Sequence, residues 1–328
     1  MIKKIFSIKN ENSHKVLTLL GIKLKFKSET LTEQSFLTSP NENNLLIYSY
    51  ANKKYYDFAI LYPIWALQNN KNTCIEIALE NLEDFKKKYN HLINYYYEKY
   101  PQKVFFTQIN KRYEKIPAGT VRFISKPINK AKYLYIGDID VIVLDDICSL
   151  HIPNIEKYNL DYSNIKRKKL NKLSGLHFIE YDKMYPICLK NINVQNDIDE
   201  NILFQLMKNK GYKIPDENIC TFRPIAGIHI SYFSRPPLRT LTTQDNEVSF
   251  PSWYDNFNGQ KITISTINKY LTCRNSEILL NFYSNIKEND VDLRRIIQII
   301  DMFIFYLNQN KHLLTPQSRT VVESNTSQ

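Results

Sequence analysis

Glycine is scarce in this chain: seven residues among 328. They are scattered, so neither GxGxxG nor GxxxxGKS/T occurs, and the two common glycine-rich phosphate cradles are excluded. HExxH and GxSxG are absent too, which removes the usual zinc-hydrolase and nucleophile-elbow sites. The five cysteines (Cys74, Cys148, Cys188, Cys220 and Cys273) are dispersed, odd in number and without a CxxC pair. That pattern argues against a disulfide framework or a zinc cluster and for a reducing compartment. No apolar run approaches the roughly 20 residues of a membrane helix. The nearest, Ile296 to Leu307, contains Gln298 and Asp301 and reads as a buried helix. The opening "MIKKIFSIKN" lacks the apolar centre of a secretory signal, so the expected location is cytoplasmic.

What is present is a globular composition, 43% hydrophobic and 23% charged, with length enough for one large domain and a smaller companion. The net charge of +11 suits nucleic acid, an anionic membrane face or phosphate-rich small molecules. A basic solvated surface produced by compositional bias explains it equally well. The 23 tyrosines and 17 phenylalanines read first as core residues and only second as stacking platforms for bases.

Residues 1–42 alternate short apolar and lysine-rich pieces. Val16, Leu17, Leu19, Leu20 and Ile22 suggest an amphipathic element for a membrane surface or partner, or else a flexible basic leader. From residue 43 strands and helices alternate. "LLIYSY" from Leu45 is a first strand, and a helical stretch with Phe58, Leu61, Tyr62 and Trp65 follows, in which Pro63 implies a kink or a start. "NTCIEIAL" is a strand. An amphipathic helix carries Leu82, Phe85, Tyr89, Leu92, Ile93 and Tyr96, and "KVFFTQI" is a third strand. "AGTVRFI" is ambiguous between helix and strand. "AKYLYIGDIDVIVL" is a fourth strand, "SGLHFIEY" a short one, and "DIDENILFQLMKNKGY" a helix stopped at Gly211. This alternation predicts an α/β fold with a mostly parallel central sheet and helices on both faces. Two or three further helices over 268–312 form a C-terminal appendage. The expected divisions are a leader (1–42), a catalytic domain (43–235), a helical region (236–315) and a disordered tail (316–328).

The chemistry gathers at "YIGDIDVIVL". In an extended segment Asp138 and Asp140 project to one side and Ile139 to the other. Two adjacent carboxylates repel unless a cation or proton joins them. With no glycine-rich cradle available, a carboxylate-held Mg²⁺ or Mn²⁺ is the remaining common way for such a sheet to handle phosphates.

These residues resemble the DxD motif of GT-A fold (Rossmann-like) glycosyltransferases, in particular the family-8-like bacterial surface-polysaccharide enzymes. The stretch from "LLIYSY" to the motif fits that family, "DENILFQL" from Asp199 resembles its acidic DQDxLN segment, and "GIHISYF" holds His229 where the family has a late histidine. The likeness covers residues 44–235. It implies that Asp138, Asp140 and His229 bind Mn²⁺ or Mg²⁺ and that Tyr48, Ser49, Tyr50 and Ala51 bind a nucleotide with Ile139. Tyr55 or Tyr56 would stack on the base, and Arg122, Lys126 or Arg235 would lie near the diphosphate. Gly175 and His177 would border the acceptor. Glu200 stands where the family has Gln; as a general base it would suit inversion, so the stereochemical outcome is open. A two-residue shift brings Asp197 into competition with Asp199 and Glu200. The implied reaction moves a sugar from a nucleotide-sugar donor to a glycan or lipid-linked glycan of the cell surface, with a peripheral contact to anionic membrane and no nucleic acid. The rivals are a metal-dependent nucleotidyltransferase and a basic nucleic-acid-binding protein; the latter leaves the DxD and the α/β alternation unexplained. Asp138 and Asp140 also read as a turn pair, Asp199 and Glu200 as residues favouring a helix start, and the "KRKK" run near residue 168 as a solvated loop.

Overall fold

The computed structural model describes residues 6–11, 14–19, 22–27, 44–166, 170–215, 227–229 and 264–309. Cys220, Arg235, Arg167 to Lys169 and the tail from 316 lie outside the described residues. The chain forms two compact units, 1–39 and 40–328.

The first unit is a three-stranded antiparallel meander of β1 (Phe6–Glu11), β2 (His14–Leu19) and β3 (Ile22–Lys27). The apolar residues Val16, Leu17, Leu19 and Ile22 thus fall on strands, where the sequence reading leaves open an amphipathic element or a flexible leader. "IKLKFK" alternates strictly, and a period of two is a strand signal.

The second unit is α/β. Its main sheet has six strands in the order β6-β5-β4-β7-β10-β9. These are β4 (Leu45–Ala51), β5 (Thr73–Leu79), β6 (Val104–Gln108), β7 (Tyr133–Ile136), β9 (Tyr162–Ser163) and β10 (His177–Glu180). β6, β5, β4 and β7 run parallel, and β10 is antiparallel to β7 and β9. β4 and β5 are buried along their whole length, which is why both read as unbroken apolar runs. Helices α1 (Tyr56–Asn69) and α2 (Leu82–Lys99) cover one face, where Leu45 and Ile47 point. Helices α3 (Ala118–Ile124) and α6 (Asp199–Asn209) cover the other, where Leu46 and Tyr48 point. Several large aromatics, among them Tyr48, Tyr89, Tyr96, Tyr135 and Phe178, are fully buried.

Two sequence expectations change here. Pro63 neither starts nor stops α1, which runs through it with Phe58 to Ala66 all buried; tertiary packing outweighs the backbone hydrogen bond the ring removes. "AGTVRFI" resolves as the short helix α3.

The three C-terminal helices, Ile264–Arg274, Glu277–Ser284 and Val291–Gln309, pack on α1 and α2. Trp65 stacks on Tyr270 with ring centres 5.0 Å apart, and Phe282 lies against Tyr95 and Tyr96. Among the described residues no helix is long and apolar enough to cross a membrane.

Candidate functional site

The strand order reverses between β4 and β7: the chain leaves β4 toward β5 and β6, then crosses back to β7 on the other side. In open parallel sheets the crevice outside the carboxyl ends at such a reversal is where ligands bind. Ser49, near the end of β4, donates from its hydroxyl to the Gly137 carbonyl at 2.9 Å, and the Gly137 amide donates to the Tyr48 carbonyl at 3.1 Å. These bonds carry the ladder one residue past β7.

The backbone then turns. β7 ends at Ile136, Gly137 to Asp140 form a connection closed by Val141 N–H to Asp138 O at 3.2 Å, and β8 (Val141–Val143) leaves the main sheet. The two aspartates therefore occupy a turn between two short strands rather than one continuous strand. The period-two argument that placed them side by side does not apply, and Gly137 is where the extended pattern breaks. β8 pairs with β11 (Gly227–His229) in the register Val141 to His229. That register sets the His229 ring beside Asp140, with Nε2 3.0 Å from the buried Oδ1.

α3 contributes Arg122. Its guanidinium, 8% exposed, pairs with Asp138 and, at 3.1 Å, with Asp199 at the start of α6. Burial works against its charge, but Asp138, Asp199 and Asp140 outweigh that and hold the guanidinium above its ordinary range. The carboxylates are more open, at 31% for Asp138 and 26% for Asp199. Asp199 also accepts the Glu200 amide at 2.9 Å, a local bond that favours the helix start. Three glycines make room. A Cβ on Gly175 would lie 2.9 Å from Arg122 Nη2 and 3.1 Å from Asp138 Oδ2, one on Gly119 2.8 Å from Asp199 Oδ2, and one on Gly137 2.8 Å from the Tyr62 hydroxyl.

Thus Asp138, Asp140, Asp199, Arg122, Gly175 and His229 meet around one turn. Glu200 adjoins the cluster, and its carbonyl accepts the Leu173 amide at 3.1 Å. Asp197 instead accepts from Gln205 at 3.0 Å. Ile139 is buried in the core. Ala51 and Tyr50 are buried; Tyr48 is fully buried with its hydroxyl 2.7 Å from Ser125 Oγ, so only the strand-end backbone there can face a ligand. Tyr55 is half-buried against Phe58. His177, the first residue of β10, is fully buried; Nδ1 accepts from Asn164 at 3.1 Å, and burial lowers its pKa to about 3. The sequence reading takes Gly137 as a break in the run and Tyr62 as a helix-stripe residue, and nominates neither of them nor Gly119 for the site. A scarce glycine directly before the first aspartate was the available signal.

Among the described residues no three His, Cys, Asp or Glu side chains are grouped closely enough to hold a metal as they stand. The donors nevertheless fit one in kind. Hard carboxylate oxygens with an imidazole suit Mn²⁺ or Mg²⁺, Asp140 and His229 already converge, and Asp138 is half-open two residues away.

No protein-family model matches the chain, and no curated protein matches its sequence. Among solved structures, the apo form of the glycosyltransferase GlyE of Streptococcus pneumoniae TIGR4 is 12% identical over 53% of this chain and 45% of its own, with a TM-score of 0.36. The match spans 45% of that GlyE chain and 64% of a second GlyE chain, less than two thirds of either. The galactosyltransferase LgtC in complex with donor and acceptor sugar analogs is 11% identical over 49% and 70%, TM-score 0.34. The inositol-1-phosphate CTP transferase of T. maritima is 10% identical over 53% and 84%, TM-score 0.30. The functional reading rests on the site.

Proposed function

We propose that this chain is a metal-dependent glycosyltransferase of GT-A type, which transfers a sugar from a nucleotide diphosphate sugar to a glycan acceptor. The observation that carries the reading is an acidic cluster in a chain of net charge +11, at the strand-order reversal. Asp138, Asp140 and Asp199 face one guanidinium and one imidazole there. Phosphates are repelled by such a cluster unless a cation enters with them.

Asp138, Asp140 and His229 would hold Mn²⁺ or Mg²⁺. When bound, that ion neutralises the charge on a departing nucleoside diphosphate. Arg122 keeps Asp138 and Asp199 in a fixed relation and presents a cation between them. The ends of β4 and β7 provide the backbone floor for the nucleotide. Asp199 and Glu200 flank the acceptor side, where a carboxylate can accept the proton of an attacking hydroxyl. The acceptor is a surface glycan of the lipopolysaccharide, lipooligosaccharide or capsule class, reached from the cytoplasmic membrane face, where positive charge favours contact with anionic lipid.

The test is a panel of nucleotide sugars incubated with Mn²⁺, scored by release of nucleoside diphosphate, with the Asp140→Ala variant alongside. Release and nucleoside diphosphate binding should need the metal and vanish in the variant. Metal-independent binding would sink the reading. So would release of pyrophosphate from a nucleoside triphosphate and a sugar phosphate, which marks nucleotidyl transfer, or salt-sensitive binding of generic RNA.

A further inference from the structure

Helix α1 is largely apolar along its buried length, and the Tyr62 hydroxyl is one of three buried polar atoms on it, with Trp65 Nε1 and Gln68 Oε1, that have no hydrogen-bond partner among the described residues; it alone lies beside the aspartates. The residue is 3% exposed and its hydroxyl has no hydrogen-bond partner among the described residues. A buried hydroxyl without an acceptor costs stability that phenylalanine at the same place would not. Tyr96 on α2 shows the ordinary solution: its buried hydroxyl donates to the Ile60 carbonyl at 2.8 Å.

The Tyr62 hydroxyl lies under the turn that carries the aspartates, 2.8 Å from where a Cβ on Gly137 would stand. Burial, and then the charges of Asp138 and Asp140, keep the phenol protonated, with Arg122 opposing. It is therefore a donor beside two carboxylates that are engaged elsewhere in the free protein, Asp138 with Arg122 and Asp140 with His229. The Nε of Arg122 is likewise buried without a hydrogen-bond partner among the described residues. Two orphaned donors flank one carboxylate pair.

We infer that Tyr62 is a positioning residue of the pair. Its hydroxyl is left unsatisfied in the free protein and gains an acceptor when Asp138 and Asp140 close on a divalent cation. The inference rests on the metal reading given under Proposed function and adds to it a residue that touches neither sugar nor nucleotide.

Mn²⁺ alone, titrated into the full chain by calorimetry, tests it together with urea unfolding of the metal-free protein. Tyr62→Phe should weaken Mn²⁺ binding about tenfold, the worth of one ordinary hydrogen bond, while the urea midpoint stays level or rises. Tyr96→Phe should do the opposite, lowering the midpoint and leaving the Kd in place. Wild-type affinity in Tyr62→Phe overturns the inference alone, as does a lowered midpoint in that variant. Absence of Mn²⁺ binding by the wild-type chain overturns the metal reading and this inference with it.

Discussion

Two buried histidines make the stability of this protein sensitive to mild acid. His177 at the start of β10 and His151 on α4 (Ile147–Tyr158) are both shielded from solvent. Ser163 Oγ accepts from Asn154 at 2.9 Å and lies 2.8 Å from His151 Nδ1. His177 Nδ1 accepts from the Asn164 amide. His177 Nδ1 is thus an acceptor, and protonating it would set donor against donor as well as bury a charge; protonating His151 would likewise bury a charge. Burial pushes both pKa values down to about 3, and His177 adds to the effect on His151. Their folded values lie below the ordinary value near 6.5, so the neutral form belongs to the folded state. The stability this represents is complete above pH 6.5 and is lost as pH falls toward 3. Moving from pH 7.5 to pH 5 therefore removes ~2 kcal/mol per histidine, or ~4 kcal/mol for both, and the figure barely changes if the folded value is 4. Urea unfolding followed by tryptophan fluorescence at pH 7.5, 6 and 5 measures the decline. A His151→Gln, His177→Gln double variant should be less stable at pH 7.5 but lose most of this slope. An unchanged slope in the variant would refute the burial argument, whatever the carboxylates contribute to both proteins.

Gly175→Ala places a Cβ against the ends of the Arg122 and Asp138 side chains, which can yield, so stability should fall by less than about 1 kcal/mol. Displacing Asp138 should nevertheless weaken Mn²⁺-dependent nucleoside diphosphate binding by about tenfold or more, read by calorimetry. Trp65→Ala empties a fully buried site that stacks on Tyr270, and should cost about 3–5 kcal/mol in urea unfolding. Limited proteolysis of that variant should cut first within 264–309, because α1 would lose its grip on those helices.

The fold was largely legible because its signals are local. β4 and β5 are continuous β-branched and aromatic runs, α2 shows a clear apolar stripe, and the alternation of elements implies the parallel sheet. The sequence was less decisive where context overrode the local signal. Pro63 is tolerated because α1 is enclosed on all sides, and the meander of 6–27 was obscured by its lysines. The site was half legible. Asp138, Asp140, Asp199 and Arg122 were nominated as types of residue. His177 was nominated for the acceptor side, yet it is sealed in the core with Asn164 as its partner.

By itself the sequence determined which groups had to be accommodated: two carboxylates at a break in an apolar run, no glycine-rich cradle, and an excess of positive charge elsewhere. Only the tertiary structure decided what those carboxylates meet. Arg122 is 16 residues from Asp138 and His229 is 89 from Asp140, yet α3 and the β8–β11 register bring each to its partner. Periodicity reports which face of an element is buried; it says nothing about which distant element covers that face. The partner of Asp140 follows from a two-stranded ladder of three residues a side, too short to announce itself in the sequence, and the unpartnered hydroxyl of Tyr62 follows from a glycine that lets a helix approach a turn.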